Sequence, residues 1–526
     1  MMSVLAHIAL EVPMERFMTR HSDRIAGILT GFDRMLFRGT IRMVSNPRGA
    51  ERWLAHHRVL LKDFQAFAAR LTAGIKTQAE HLAARTGRPL EYLASSAISK
   101  EDHVRAIQAR DAIADGLICI LACVEPCRAV TVRGDRITRR LRAVVETRKC
   151  LHFYFYFADR DFGVLHVRLQ TWLPFNMQVC LNGRDWLCQQ LTQRGIAHDR
   201  VDNCVTRVAD LPLAQALLDQ LATRCWAPTL RALAERVNPW VGRHGTVALR
   251  RYYWSLQESE FATDVLFHTP ADLRAVYPSL TRHAIDAFSC EDVLRFLGRR
   301  MGPRSRGEVT SSYLRRPEGL RIKHRVEENS IKMYDKAGTV MRVETTINHP
   351  RRFRVFRDRT RLGRRQRGWL PMRKGIADIP RRVELSRAAN ARYLDALSVV
   401  PDPTPVHHLL DPVSQRRLVA GRAYRPLRPI APDESACFAA LLNGRAALDG
   451  IRARDLHATL SRLHGTDRVA RARLMGRVAR QLRLYRAHGL IGKVAHTHLY
   501  RVTPKGHQIL STALRCRTAN LATLAA

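Results

Sequence analysis

The chain has 526 residues, 46% of them hydrophobic, which is enough for about two to four domains with a substantial buried core. This composition excludes a disordered polycation, although 88 Lys and Arg against 47 Asp and Glu give a net charge of +41. The charge favours a polyanionic partner, and no apolar run approaches the roughly 18 residues that a membrane-spanning helix needs.

The cysteines and the first residues of the chain predict the cellular location of the protein. Residues 1–11 lack the basic flank and long apolar region of a signal peptide. Cys119, Cys123 and Cys127 recur at intervals of four, whereas structural zinc sites favour pairs separated by two residues, so a buried strand is the better interpretation. We therefore expect a cytoplasmic, nucleoid-associated protein with reduced thiols, a nucleic-acid partner that is most readily DNA, and no membrane partner.

The N-terminal region, residues 1–115, is predicted to be mostly helical. Asp33 is the only carboxylate of a short strand-like segment, GFDRMLFRGT. It is either a metal ligand or, more commonly for such a residue, an ion-pair partner of Arg34 or Arg38. The predicted elements are helices at residues 15–29, 50–85 and 99–114, and a strand at residues 31–40.

The central region, residues 116–398, is predicted to hold the main sheet. The hydrophobic period changes there from helical spacing to alternation, and turn residues separate the apolar runs. The expected strands are residues 117–124, 129–132, 150–157, 164–173 and 178–181. An antiparallel or mixed sheet covered by helices makes the predicted fold class α+β, with a helical N-terminal region and a C-terminal winged helix.

An aromatic segment, HFYFYFADRDFGVLHVRLQTWLPF, lies within this sheet. By strand alternation, His166, Arg168 and Gln170 share one face, beside the tyrosines of the preceding strand. Such a face can bind single-stranded nucleic acid by stacking and phosphate contact. The alternative is a sheet whose aromatic face packs under helices.

A hairpin at residues 330–347 combines strand alternation, turn residues and carboxylates. Two strand-like runs, 330–334 and 340–347, flank the turn sequence Asp-Lys-Ala-Gly. Alternation places Glu344 on the same face as Arg342, near the corner formed by the turn. The predicted catalytic residues are Tyr334, Asp335, Lys336 and Glu344, with Asp335 and Glu344 as metal ligands.

This hairpin resembles the sheet core of rolling-circle replication initiators, and the whole chain resembles an uncharacterised group of bacterial mobile-element-type proteins. The segments GFDRMLFRGT, VEPC, IKMYDKAG and RVETTIN carry the second resemblance. Initiators normally carry a His-hydrophobe-His metal triplet, but the nearest triplet here is His166-Val167-Arg168. A metal site would therefore need other ligands, such as His152, Glu344 or Asp335, and Mg²⁺ or Mn²⁺ is expected only if the protein is an enzyme.

Further charged groups flank the hairpin in sequence. Glu258 and Glu260 would share a strand face and, with Asp264, either hold Mg²⁺ or, by default, neutralise arginines. The arginine-dense segments 302–307 and 351–373 either solvate a surface or follow phosphates.

The last part of the chain follows a proline-rich linker, predicted at residues 399–432. Residues 433–526 give three helix candidates, two short strands and a last helix, and they resemble winged helix-turn-helix domains. In that family the third helix enters the major groove and the wing contacts the backbone. The resemblance implies DNA contacts by Arg471, Arg473, Arg477, Arg480, Arg483, Lys493, His496 and His498.

Two classes of function follow from these features. The first is a DNA-binding enzyme of a mobile element, of the replication-initiator or nicking and transfer type, possessing a metal-dependent endonuclease site. The second is a non-enzymatic DNA-binding regulator, and an RNA-binding factor also fits the charge.

Overall fold

A computed structural model of the chain describes residues 14–94, 98–135, 137–242, 249, 251–299, 309–316, 319–361, 364–399, 406–443, 450–464, 468–495 and 497–520. The chain divides into two compact units. Unit 1 comprises Met1–Pro278, Phe296–Arg299 and Val309–Leu394, and unit 2 comprises Ser279–Arg295, Arg300–Glu308 and Asp395–Ala526. Both helices and strands are abundant, so the predicted α+β class is confirmed at this level.

Unit 1 contains an 11-stranded sheet. Its strands are β1 (Ile25–Thr40), β2 (Leu90–Tyr92), β3 (Gly116–Gly134), β4 (Leu141–Asp159), β5 (Gly163–Gln170), β6 (Met177–Asn182), β9 (Tyr253–Phe267), β10 (Thr310–Arg316), β11 (Gly319–Val326), β12 (Asn329–Lys336) and β13 (Val340–Ile347). They lie in the order β10-β11-β12-β13-β9-β1-β6-β5-β4-β3-β2, and adjacent strands are antiparallel except for β2 and β3, which run parallel. Two separate hairpins are formed by β7 (His198–Val201) with β8 (Cys204–Val208), and β14 (Arg354–Arg361) with β15 (Arg364–Pro371).

Helices of unit 1 pack on this sheet and bury an extensive aromatic and aliphatic core. Phe155 and Phe157 of β4 lie in this core together with Phe67 and Leu71 of a long helix, so the aromatic face is packed under helices. The helices of unit 1 are Met14–Arg20, Pro47–His56, Phe64–Thr86, Lys100–Arg110, Gly183–Gln193, Leu211–Thr223 and Trp226–Val237, together with most of Ile379–Leu397 and the first half of Pro270–Asp286. The rest of Pro270–Asp286 and nearly all of Cys290–Phe296 belong to unit 2. Among the described residues, no helix is both long enough and apolar enough to cross a membrane.

The N-terminal region differs from the prediction because β1 belongs to the centre of the sheet. The first helix ends at Arg20, and β1 starts at Ile25 and runs for 16 residues between β9 and β6. Burial alternates at Ile25, Gly27 and Leu29, as expected of a strand and not of a helix. β9 pairs with β1 along its length, and β6 pairs with Arg34–Gly39 on the other side. These contacts between distant segments satisfy backbone groups of β1, and local helix propensity does not supply them.

The hairpin predicted at residues 330–347 is present. β12 and β13 pair antiparallel with Lys332 opposite Glu344 and Tyr334 opposite Arg342. Ala337 and Gly338 have positive φ values of 59° and 73° in the turn. Cross-strand partners share a face, so this register brings Lys332 and Tyr334 beside Glu344.

Unit 2 has its own core, built around Phe438, Leu482 and Tyr485. Leu410, Val413 and Leu427 are buried in that core, so much of the predicted linker is packed structure and not a spacer. The elements after Leu397 are the helices Val406–Leu410, Pro432–Leu442, Ala453–His464, Arg468–Ala487 and Pro504–Thr518, with the strands β16 (Arg417–Val419), β17 (Arg422–Tyr424), β18 (Ile491–Lys493) and β19 (Tyr500–Val502). The arginine-dense segment 302–307 lies outside the described residues.

Candidate functional site

A bulge in β1 sets the position of the central charged cluster. Phe32 pairs with Phe261 and Met35 pairs with Ser259, so Asp33 and Arg34 together stand opposite Glu260. Such a bulge places an extra residue in one strand and turns a side chain from its regular direction. As a result, Asp33 is buried and faces the carboxylates of β9 and β13, while Arg34 is exposed beside them.

Arg342 lies fully buried between two aspartates. Its Nη1 donates to Asp33 Oδ2 at 2.7 Å, and its Nε and Nη2 donate to the two oxygens of Asp264 at 2.5 and 3.0 Å. A second buried arginine, Arg184, has Nη2 2.9 Å from Asp264 Oδ2. Burial alone would raise the pKa of Asp264, but Arg184 and Arg342 outweigh this effect and lower it. Removing one member of such a buried network leaves an unpaired charge, which costs about 3–5 kcal/mol.

Glu344 forms the second half of the cluster. Lys332 Nζ lies 2.7 Å from Glu344 Oε1 and 3.4 Å from Glu260 Oε1, and the Tyr334 hydroxyl donates to Glu344 Oε2 at 2.9 Å. Glu344 is only 1% exposed. Burial raises the pKa of Glu344 to about 7; Lys332 acts against this shift, and the carboxylates of Glu260 and Asp33 add to it.

The donor set for a metal is already occupied by a cation of the protein. Asp33, Glu260 and Glu344 each have a ligand oxygen within 4.8 Å of the other two. However, the ammonium of Lys332 contacts both glutamates, and Asp33 is bonded to Arg342. Because Lys332 and Arg342 already contact the oxygens that would bind a metal, these residues do not fit a divalent ion while the two cations keep their positions.

The predicted catalytic residues are only partly brought together. Tyr334 and Glu344 are bonded, but burial, reinforced by Glu344, raises the pKa of Tyr334, which disfavours the tyrosinate needed for nucleophilic attack. Asp335 lies on the opposite strand face, and its Oδ1 accepts the Gly338 amide at 2.9 Å in the turn. Lys336 Nζ lies 3.3 Å from the exposed Asp202. Asp335 is therefore a turn residue and does not complete a metal site with Glu344.

A polar cavity of about 350 Å³ opens beside this cluster. Lys332 and Glu260 form part of its wall, and Arg34 contributes from the bulge. Both signs of charge line the cavity, so a partner would have to replace existing ion pairs on entering. The other lining residues are Glu258, Ser259, Lys323, Arg325, Glu328, Ser330, Thr346 and Asn348.

His166, Arg168 and Gln170 do not form the exposed nucleic-acid surface that the sequence predicted. Arg168 Nη2 donates to Glu125 at 2.6 Å, and Gln170 is 1% exposed and bonded to the backbone. Burial, Arg34 and Arg168 lower the pKa of His166 to about 4, so the imidazole is neutral near pH 7. Lys100 Nζ, at the start of the helix Lys100–Arg110, also lies 3.5 Å from Glu125, which further satisfies this carboxylate.

A different basic surface lies in unit 2, on the helix Arg468–Ala487. Val478, Leu482 and Tyr485 are its buried side, and the following arginines are exposed: Arg477, Arg480, Arg483 and Arg486. Lys493, His498 and Arg501 are exposed on the adjoining hairpin β18–β19. We call these seven exposed residues the C-terminal basic surface. The side chains of Arg471 and Arg473, and all of His496, lie outside the described part.

Several residues of the central cluster were not found by sequence reasoning. Lys332, Arg184, Asn182 and Asn203 have no motif around them, and Asn182 and Asn203 donate to Asp33 at 2.6 and 3.0 Å from distant parts of the chain. The one signal in the sequence that could have identified any of them is strand alternation, which places Lys332 on the same face as Tyr334.

No known protein family matches the sequence. No curated protein matches it either. Among solved structures, the crystal structure of the di-domain ARO/CYC BexL from the BE-7585A biosynthetic pathway aligns with 53% of this chain and 90% of its own, at 12% identity and a TM-score of 0.14. A TM-score this low carries no argument about fold or function.

Proposed function

We propose that this protein binds duplex DNA through the C-terminal basic surface. The observation that carries the proposal is the exposure of successive arginines along one helix, next to a hairpin that presents Lys493, His498 and Arg501. Within the described residues, Arg480, Arg483 and Arg486 form no ion pair, and Arg477 reaches Asp433 only at 4.0 Å. Guanidinium groups that are not already paired are available to phosphates and base edges.

The order of elements supports the same partner. Helices Pro432–Leu442, Ala453–His464 and Arg468–Ala487 precede the hairpin, and Ile451 pairs with Tyr500 of β19. This is the order of a winged helix-turn-helix, in which the third helix occupies the major groove and the hairpin contacts the backbone. An α-helix with its side chains is about 10–12 Å across, and the major groove is about 12 Å wide, so the helix Arg468–Ala487 has the diameter to enter the groove.

The proposal is for binding and does not include strand cleavage. The mobile-element enzyme requires a metal centre, and Lys332 already neutralises Glu344 and Glu260. A DNA-binding regulator of the second class needs no such centre. An RNA-binding role is disfavoured because the narrow major groove of A-form RNA does not admit a helix.

The test is duplex binding by the full-length chain carrying Arg480→Ala and Arg483→Ala. Both side chains lie on the solvent side of the helix, so we expect the affinity for a duplex to fall at least about tenfold without a change in melting temperature. The matched control is Arg416→Ala with Arg422→Ala, which removes the same charge from two other exposed positions of unit 2. If both variants lose the same affinity for the duplex, net charge alone explains the loss. If the first variant loses no affinity, the proposed surface is wrong.

A further inference from the structure

A second basic element, the hairpin β14–β15, lies in unit 1 and is called the arginine hairpin below. Its residues 354–371 include seven arginines and one aspartate. β14 and β15 pair only with each other among the described strands. An isolated hairpin is marginally stable in water, so contacts at its base must hold it in place.

One face of the arginine hairpin is anchored to unit 1. Val355 packs against the buried residues Ile347, Phe353 and Met372. Arg357 Nη1 donates to both oxygens of Asp378 at 3.0 and 2.9 Å. The side chains that alternate with Val355 and Arg357 therefore face away from the anchor.

The opposite face presents two aromatic rings to solvent. Phe356 and Trp369 are cross-strand partners whose ring centroids are 5.6 Å apart, and they are 48% and 57% exposed. All phenylalanines and tryptophans of the chain lie in the described part, and these two are the only ones that are exposed. The hydrophobic effect normally removes such rings from water, so a pair left in the open indicates a surface that is covered by a partner.

Guanidinium groups stand beside both rings. The Arg367 guanidinium carbon lies 5.2 Å from the Phe356 ring centroid, and that of Arg381 lies 5.5 Å from the Trp369 ring centroid. Both groups also pair with an exposed carboxylate, Arg367 with Asp358 and Arg381 with Glu384, and such surface pairs are weak. Arg354 and Arg359 are also exposed on the hairpin. Aromatic faces flanked by cations are the combination by which proteins stack bases and contact phosphates of single-stranded nucleic acid.

We propose that the arginine hairpin binds single-stranded nucleic acid, with Phe356 and Trp369 as the stacking platform. Bases inside a duplex already stack on one another, so rings of this kind distinguish unpaired strands from duplexes. An anionic membrane is a poorer partner, because Asp358 and Arg367 follow the rings along the same face and leave no wide apolar area to insert. This site uses residues of unit 1 and stands independently of the C-terminal basic surface.

The test measures fluorescence anisotropy of a labelled oligothymidylate of about 20 nucleotides and of a duplex of equal length, with the full-length protein. Because each stacked base contributes substantially, Phe356→Ala and Trp369→Ala should each lower the affinity for the single strand about tenfold or more. The duplex affinity should change by less than about twofold. Trp369→Phe retains a stacking ring and should recover most of the affinity for the single strand.

Two comparisons separate this proposal from its alternatives. Tyr92, a 61% exposed aromatic elsewhere in unit 1, is the matched control, and Tyr92→Ala should leave both affinities unchanged. Arg480→Ala with Arg483→Ala should weaken duplex binding, while Phe356→Ala and Trp369→Ala should still lower the affinity for the single strand. The two proposals can therefore fail independently.

Unchanged oligothymidylate binding by the two ring variants would overturn the assignment, as would equal losses of affinity for the single strand and for the duplex. Trp369-dependent binding to phosphatidylserine vesicles without a Trp369 effect on oligothymidylate would assign the face to membranes instead.

Discussion

Lys332 is the residue that determines what the central cluster can do. Its ammonium lies 2.7 Å from Glu344 and 3.4 Å from Glu260, at the position where the carboxylates would otherwise need an external cation. Burial would lower the pKa of Lys332, but Glu344 and Glu260 raise it, so the side chain remains charged. The carboxylates of Glu344 and Glu260 therefore already have a cationic partner within the protein.

The pKa of Glu344 predicts a specific dependence of stability on pH. Its pKa is raised from 4.5 to about 7 in the folded chain, so between these values the folded state holds a proton that the unfolded state has lost. The contribution of Glu344 to the free energy of unfolding must fall as pH rises through this window, by at most about 3 kcal/mol. Glu344→Gln removes this titration, so its urea-unfolding profile should be flatter than that of the wild type between pH 5 and 7.

The matched control for this measurement is Glu327→Gln. Arg352 and other cations near Glu327 outweigh its burial and lower its pKa, so its stabilising contribution is lost only as pH falls through the acid range. Parallel profiles for wild type and Glu344→Gln from pH 5 to 7 would contradict the raised pKa of Glu344.

At the scale of the elements, two hairpins are held in place by different interactions. The turn between β12 and β13 relies on Gly338, whose φ is 73° and whose amide is held by Asp335. By contrast, the arginine hairpin is held by burial of Val355 and by the pair of Arg357 with Asp378 at its base. A turn residue specifies the first hairpin locally, whereas packing outside the hairpin positions the second.

Gly338→Ala tests the turn. A Cβ at this position meets nothing within 4 Å, so the substitution changes only the backbone preference, and the left-handed φ should cost about 1–2 kcal/mol of unfolding free energy. Gly134 is the matched control, because a Cβ there also meets open space and its φ is not positive. Urea unfolding should show Gly134→Ala within about 0.5 kcal/mol of wild type. Equal effects of the two substitutions would contradict this account of the turn.

At the scale of the whole molecule, only some of the cations behind the net charge of +41 are exposed to solvent. Ion pairs with buried carboxylates already engage Arg342, Arg184 and Lys332, so these cations are not available to a polyanion. The cations available to phosphates are the exposed ones, and these include the C-terminal basic surface and the arginine hairpin. Net charge alone therefore overstates the number of cations that are available to a polyanion.

The salt dependence of duplex affinity measures that number. Each neutralised phosphate releases counterions, so a contact with about six phosphates should lower the affinity about 10³-fold between about 50 and 200 mM salt. Filter binding across this range should give a linear plot of log affinity against log salt. The slope should become shallower by about two in Arg480→Ala with Arg483→Ala. A duplex affinity that does not respond to salt would contradict DNA as the partner.

The sequence by itself determined the α+β class, the segments that form β4, β5 and β6, and the hairpin of β12 and β13, but it did not predict β2, β10 and β11, and it divided β3 into two strands. These features depend on short-range periodicity and turn residues, which a strand or helix carries wherever it packs. It also determined that Glu344 shares a face with Arg342, because alternation fixes this within one strand. The excess of basic residues predicts a polyanionic partner, and this prediction needs no knowledge of the fold.

Only the tertiary structure decided which charges meet. A bulge between β1 and β9 turns Asp33 towards Arg342, more than 300 residues away along the chain, and no local pattern encodes that register. The tertiary structure also buries Gln170 and pairs Arg168 with Glu125. Asp335 accepts the Gly338 amide in the turn and does not face Glu344. It leaves Phe356 and Trp369 in solvent, because Val355 and Arg357 take the anchored face of their hairpin. Pairing and burial depend on contacts between distant segments, so the sequence named candidate residues and the fold selected among them.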